Sequence, residues 1–131
     1  MMSHEQGGKK EVLDTYRRIA RGEQSSCCAS GCSCHGSEDQ GGLTVAERAR
    51  QLGYTADDLS KIPQGVNLGL GCGNPLALLS LEEGETVLDL GSGAGLDCFL
   101  ARQKVGPSGK VIGVDMTPEM VFRARETARQ Q

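Results

Sequence analysis

The sequence predicts an α/β fold built on one parallel strand pair. Two short apolar runs carry that expectation: "ETVLDL" at 85–90, bounded by Gly84 and Gly91, and "VIGVD" at 111–115. Between them "GSGAG" (91–95) reads as a turn, "LDCFLARQKV" (96–105) as a helix and "GPSGK" (106–110) as a second turn. After the second run, Thr117-Pro118 caps a last helix, "PEMVFRARETARQQ". Strand, turn, helix, turn, strand, helix is a βαβα unit, and a helical crossover joins strands that run parallel.

Upstream the pattern is helical. In "KKEVLDTYRRIAR" (9–21), Val12, Leu13, Tyr16, Ile19 and Ala20 form one apolar helix stripe, which Gly22 ends. "TVAERARQLG" (44–53) opens with Thr44 and Glu47 at capping-box spacing and closes on Gly53. "TADDLSKI" (55–62) reads as another short helix, stopped by Pro63. Asn74 before Pro75 is an N-cap followed by proline at the first helical position, so "NPLALLSL" reads as a short helix. Residues 23–42, "EQSSCCASGCSCHGSEDQGG", have no period, and they read as a mobile linker. The expected organisation is a helix and Cys-rich segment (1–43), a helical segment with the GCGNP loop (44–83), and the α/β unit (84–131).

Composition narrows the function classes. Fourteen Lys and Arg against seventeen Asp and Glu give a net charge of -3, with no long basic stripe, so nucleic acid is not an expected partner. No apolar run reaches the ~20 residues of a membrane span, and the polar N-terminus lacks a secretory signal. A cytoplasmic protein is expected, so the six cysteines point to reduced thiols, ligands or redox chemistry rather than a disulfide scaffold.

"VLDLGSGAG" is the most informative stretch. A glycine-rich turn at the carboxyl end of a first strand admits a ligand close to the backbone. Asp115 closes the next strand, where an acid accepts hydrogen bonds from ribose hydroxyls. The spacing is G-x-G-x-G, and Leu96 stands where a dinucleotide fingerprint wants its third glycine. Asp89 adds a negative charge just before the turn, which suits a cationic group and disfavours a pyrophosphate. Both departures favour S-adenosylmethionine, which carries an ammonium and a sulfonium but no phosphate. The plain alternative is a glycine-rich turn with no ligand; an NAD-dependent oxidoreductase fragment is a further one.

"GLGCGNP" (69–75) raises a separate question. It sets Cys72 between Gly71 and Gly73, in backbone that a bulky ion can approach. A helix starting at Pro75 would favour the thiolate. A small buried cysteine in a loop is the bland alternative. Cys98, on the helix after the turn, is expected to pack against the sheet, and Arg123, Arg125 and Arg129 to form a solvated helix face.

Taken together, "GCGNP", "DLGSGAGLDC" and "GVDMTPEM", in that order and spacing, resemble the arsenite methyltransferase family of class I methyltransferases. The helix "YRRIARG" followed by a Cys cluster is similar to the bacterial branch, and the resemblance runs from about residue 11 to the end. It implies a Rossmann-like fold and methyl transfer from S-adenosylmethionine to trivalent arsenic held by thiols. It implies that Asp89, Gly91, Ser92, Gly93 and Gly95 surround the methionine moiety, and Asp115 and Met116 the ribose and adenine. It matches Cys72 to an arsenic ligand, and more loosely one of Cys27, Cys28, Cys32 and Cys34. It further implies arsenite or arsenic–thiol conjugates as substrates, glutathione or thioredoxin as reductant, and a monomer in the full-length form.

Soft thiolates select soft arsenic(III), whose lone pair can attack a sulfonium methyl in line. The N-terminal cysteines with His35 read as a capturing arm for the ion, as a linker, or as a zinc site, although zinc usually takes two separated ligand pairs. A non-catalytic thiol-rich module binding arsenite or zinc is therefore the second functional class. The family's sheet has about seven strands and its further arsenic-binding cysteines lie downstream, whereas two strands are legible here. The fold is thus expected to be an incomplete class I unit, the N-terminal part of a longer enzyme, catalytically incomplete alone.

Overall fold

The computed structural model describes residues 4–23 and 43–131. Thr86–Leu90 (β1) and Lys110–Val114 (β2) pair in parallel, with Val87 opposite Val111 and Asp89 opposite Gly113. The helix Leu96–Val105 (α4) joins them and lies on one face of the pair. Alternation sends Val87, Asp89, Val111 and Gly113 to that face, and Leu88, Leu90, Ile112 and Val114 to the other, which is exposed. Glycine at 113 is a packing requirement, since a Cβ there would come within 2.8 Å of both Cys98 Sγ and Ser92 Oγ.

Two short helices, Val45–Gln51 (α2) and Ala56–Lys61 (α3), cover the outer side of α4. Each opens with a reciprocal capping box. In α2, Glu47 N donates to Thr44 Oγ1 at 3.2 Å and Thr44 N donates to Glu47 Oε2 at 2.7 Å. In α3, Thr55 and Asp58 do the same at 3.0 and 2.9 Å. Helices this short are marginal alone, so burial of Ala49, Tyr54, Leu76, Leu100 and Ala101 in one cluster has to hold them.

The N-terminal helix His4–Ala20 (α1) begins earlier than its apolar stripe implied and packs on Pro118–Arg129 (α5). It ends in a Schellman arrangement: Gly22, at φ 76°, donates to Ile19 O, and Glu23 N donates to Arg18 O. Arg17 and Arg21 reach Glu119 at 3.4 and 3.1 Å. Arg123, expected to be solvated, instead donates to Ala20 O at 3.0 Å and so ties α5 to the end of α1. Ile19, Ala94 and Met120 form a second buried cluster, which brings the end of α1 against the glycine-rich turn.

One expected helix is corrected. "NPLALLSL" forms only a three-residue 3₁₀ turn, Pro75–Ala77. Asn74 caps it through Ala77 N, at 3.2 Å, but Leu78 and Leu79 are exposed. With no apolar surface beneath those two residues, nothing offsets the cost of a second turn.

The tightest backbone approach is at Gly109, where a Cβ would lie 2.5 Å from Val105 Cβ and 2.7 Å from Val105 O. Val105 is fully buried, so neither side can yield cheaply. Gly109→Ala is expected to destabilise the fold by about 1–3 kcal/mol, read as a lower denaturant midpoint; an unchanged midpoint would contradict this packing.

Candidate active site

The carboxyl ends of β1 and β2 carry the turn 91–95 and Asp115. Gly91, Gly93 and Gly95 take φ of 81°, 53° and 96°, a region that L side chains rarely adopt. At Gly91 and Gly93 a Cβ would meet nothing within 4 Å, so the outer face of the turn is open. Gly91 N and Ser92 N both donate to Val114 O, at 2.7 and 3.0 Å, and Gly95 N donates to Ser92 O at 2.9 Å. Gly93 N donates to Asp115 Oδ2 at 2.9 Å. Those four amides are therefore spent inside the turn and do not face a ligand. A pyrophosphate cradle needs such amides free.

Asp115 also accepts Thr117 N on Oδ1, at 2.7 Å. Its carboxylate thus locks the turn to the start of α5, a capping role expected of Thr117, whose own side chain makes no cap bond. Each oxygen keeps a lone pair for a further donor such as a ribose hydroxyl. Met116 beside it is 64% exposed and offers an open apolar flank.

Two more carboxylates stand on the same side. Cys98 Sγ donates to Asp89 Oδ2 at 3.3 Å, from the first turn of α4. Burial pushes the Cys98 thiol up to about 12, with the hydrogen bond to Asp89 and its charge adding to the effect. This thiol is packed against the sheet, as expected, and is neutral near pH 7. Alkylation by iodoacetamide at pH 8 is expected at exposed Cys72 and not at Cys98, checked by peptide mass mapping. Because folding raises the Cys98 pKa, its contribution to stability is whole below the ordinary thiol value and is lost as pH rises towards about 12. Asp97, half-buried, has its pKa raised by burial, and the charge of Asp89 adds to this against the hydrogen bond from Tyr54.

Cys72 is exposed, which removes the reading of a buried loop cysteine. The helix expected to favour its thiolate is the single 3₁₀ turn, and the Ala77 amide there is already taken by Asn74. That part of the expectation is corrected. The loop is held instead by Tyr54, whose hydroxyl lies 3.0 Å from Gly73 O and 2.8 Å from Asp97 Oδ1. Tyr54 and Asp97 had not been singled out in the sequence. The available signal was one tyrosine with a polar tip in a chain holding only two Tyr, two Phe and no Trp. Cys27, Cys28, Cys32, Cys34 and His35 lie outside the described residues. Among the described residues, no group of three or more Cys, His, Asp or Glu side chains could hold a metal ion, and no helix is long and apolar enough to cross a membrane.

Residues 81–131 match the methyltransferase domain family. Over 122 residues the chain is 52% identical to an arsenite methyltransferase of Halobacterium salinarum, covering 90% of this chain and 30% of that protein. Residues 81–131 thus resemble a methyltransferase domain, and the relatives imply S-adenosylmethionine as the methyl donor. An arsenite methyltransferase of Aquipseudomonas alcaligenes is 55% identical over 51 residues, covering 39% of this chain and 14% of its own length. A solved structure, an arsenic(III) S-adenosylmethionine methyltransferase from Chlamydomonas reinhardtii, aligns at 36% identity and a TM-score of 0.42, over 62% of this chain and 25% of that one. The chain thus spans under a third of the length of these curated relatives.

The residues present fit the family's methyl donor. The turn is open, its amides are satisfied internally, and Asp89, Asp97 and Asp115 supply negative charge around it. A ligand with two cationic groups and no phosphate suits that set, and a nicotinamide dinucleotide does not.

Proposed function

We propose that this chain supplies the S-adenosylmethionine site and one thiolate ligand for methylation of trivalent arsenic. The observation that carries the reading is the Tyr54 bridge, which joins the exposed-thiol loop at Gly73 to the first turn of α4 at Asp97. Loop and cofactor turn therefore share one side of the fold. Asp89, Gly91, Ser92, Gly93 and Gly95 would hold the methionine end, and Asp115 with Met116 the ribose and adenine.

When bound, S-adenosylmethionine supplies an electrophilic methyl group on a sulfonium. Cys72 holds arsenic(III) as a soft thiolate ligand. The donor, its methionine end held by Asp89, Gly91, Ser92, Gly93 and Gly95, would supply that methyl group to the arsenic lone pair and would leave as a neutral thioether that keeps the electrons of the broken S–CH₃ bond. No proton moves, so no general base is needed, and the residues act by positioning, which contributes of order 7–11 kcal/mol in well-oriented reactions. Arsenic is formally oxidised in the step, so a thiol reductant such as glutathione or thioredoxin restores it. Cys27, Cys28, Cys32 and Cys34 are proposed as a capturing arm that collects the ion and delivers it to Cys72. A cytoplasmic monomer is the setting proposed.

Titration calorimetry tests this reading. S-adenosylmethionine is expected to bind and NADH not to, with arsenite binding lost on Cys72→Ser. Arsenite binding with no affinity for S-adenosylmethionine would favour a thiol-rich sequestering module instead.

A further inference from the structure

The loop bearing Cys72 has no regular structure of its own, yet two contacts pin it to the segment after α2. Asn74 Nδ2 donates to Gly53 O at 3.0 Å. One residue on, the Tyr54 hydroxyl meets Gly73 O, and it also meets Asp97 Oδ1. Tyr54 is 3% exposed, with its ring in the cluster of Ala49, Leu76, Leu100 and Ala101. A buried ring with a fixed hydroxyl is a rigid peg, because two torsions define it and packing holds both. Burial, the hydrogen bond to Asp97 and the charges of Asp97 and Asp89 raise the phenol pKa, so the hydroxyl keeps its proton.

We propose that Tyr54 is a positioning residue that fixes the Cys72 thiol relative to the S-adenosylmethionine turn, through the Gly73 carbonyl on one side and the Asp97 carboxyl on the other. This rests on the reading of Cys72 as the arsenic ligand. The ring packs α2 to α4, while the hydroxyl sets the reach of the loop. Removing the hydroxyl alone takes away one of the loop's two pins, leaving the Asn74–Gly53 bond, and leaves the ring packed. Tyr54 touches neither substrate nor cofactor, and its effect on reaction passes through Cys72.

Tyr54→Phe tests it. With far-UV circular dichroism unchanged, Cys72 alkylation by iodoacetamide is expected to rise about fivefold, the shift one net hydrogen bond confers. The affinity for S-adenosylmethionine should hold, whereas in a catalytically complete enzyme carrying this segment kcat for arsenite methylation falls about 10–100-fold with KM for S-adenosylmethionine unchanged, as for a small misplacement of reacting groups. Asp97→Asn keeps an acceptor oxygen for the hydroxyl and is expected to restrain Cys72 as the parent does. Equal alkylation rates in Tyr54→Phe and the parent overturn the proposal, and so does a fall in S-adenosylmethionine affinity matching the fall in kcat. The alkylation rates need neither arsenite nor cofactor. They decide on the strap even if methyl transfer to arsenic is itself disproved.

Discussion

In a catalytically complete enzyme carrying this segment, Cys72→Ser is expected to lower arsenite methylation by about 100-fold or more, since one displaced ligand misplaces the reacting pair. S-adenosylmethionine affinity should not change, because the glycine turn and its acids are separate from the thiol. Serine preserves size and exposure but offers a hard oxygen that soft arsenic does not favour. Chromatography of methylated arsenic with mass detection reads the first quantity, and titration of the donor reads the second. Parent rates in Cys72→Ser would remove Cys72 from the reaction, and a parallel loss of donor affinity would make it part of the donor site instead.

Asp115→Ala is expected to act on the other half of the site. Both of its oxygens already accept backbone amides, from Gly93 at 2.9 Å and Thr117 at 2.7 Å. Hydrogen bonds to a charged group are worth about 1.5–3 kcal/mol each. Losing one such bond to the ligand and slackening the turn together should weaken S-adenosylmethionine binding by roughly 10–100-fold. Asp115→Asn is expected to be nearly as damaging. Its amide nitrogen would have to face either the Gly93 or the Thr117 N–H, donor against donor. Donor affinity at the parent level in Asp115→Asn would show that the carboxylate does not organise the turn.

Much of this was written locally. Thr44 with Glu47, and the apolar runs around Leu88 and Ile112, act within a few residues, so element type followed from spacing. The acids Asp89 and Asp115 were legible because strand ends in a βαβ unit put them on one edge. What escaped was tertiary. Leu78 and Leu79 look helical, but nothing packs beneath them. Arg123 looks solvated, but an α1 carbonyl 103 residues away accepts a hydrogen bond from it. Tyr54 gained its meaning only once Gly73 and Asp97, 19 and 43 residues downstream, were brought to its hydroxyl.

The inward-directed amides of Gly91, Ser92, Gly93 and Gly95 carry a practical consequence. Buffer anions find few donors on this crest, and the neighbouring carboxylates repel them. Orthophosphate, sulfate or added ATP should therefore leave donor titrations unmoved at constant ionic strength, while monovalent salt weakens them by screening. Assays can be run in whichever anionic buffer best suits arsenic speciation.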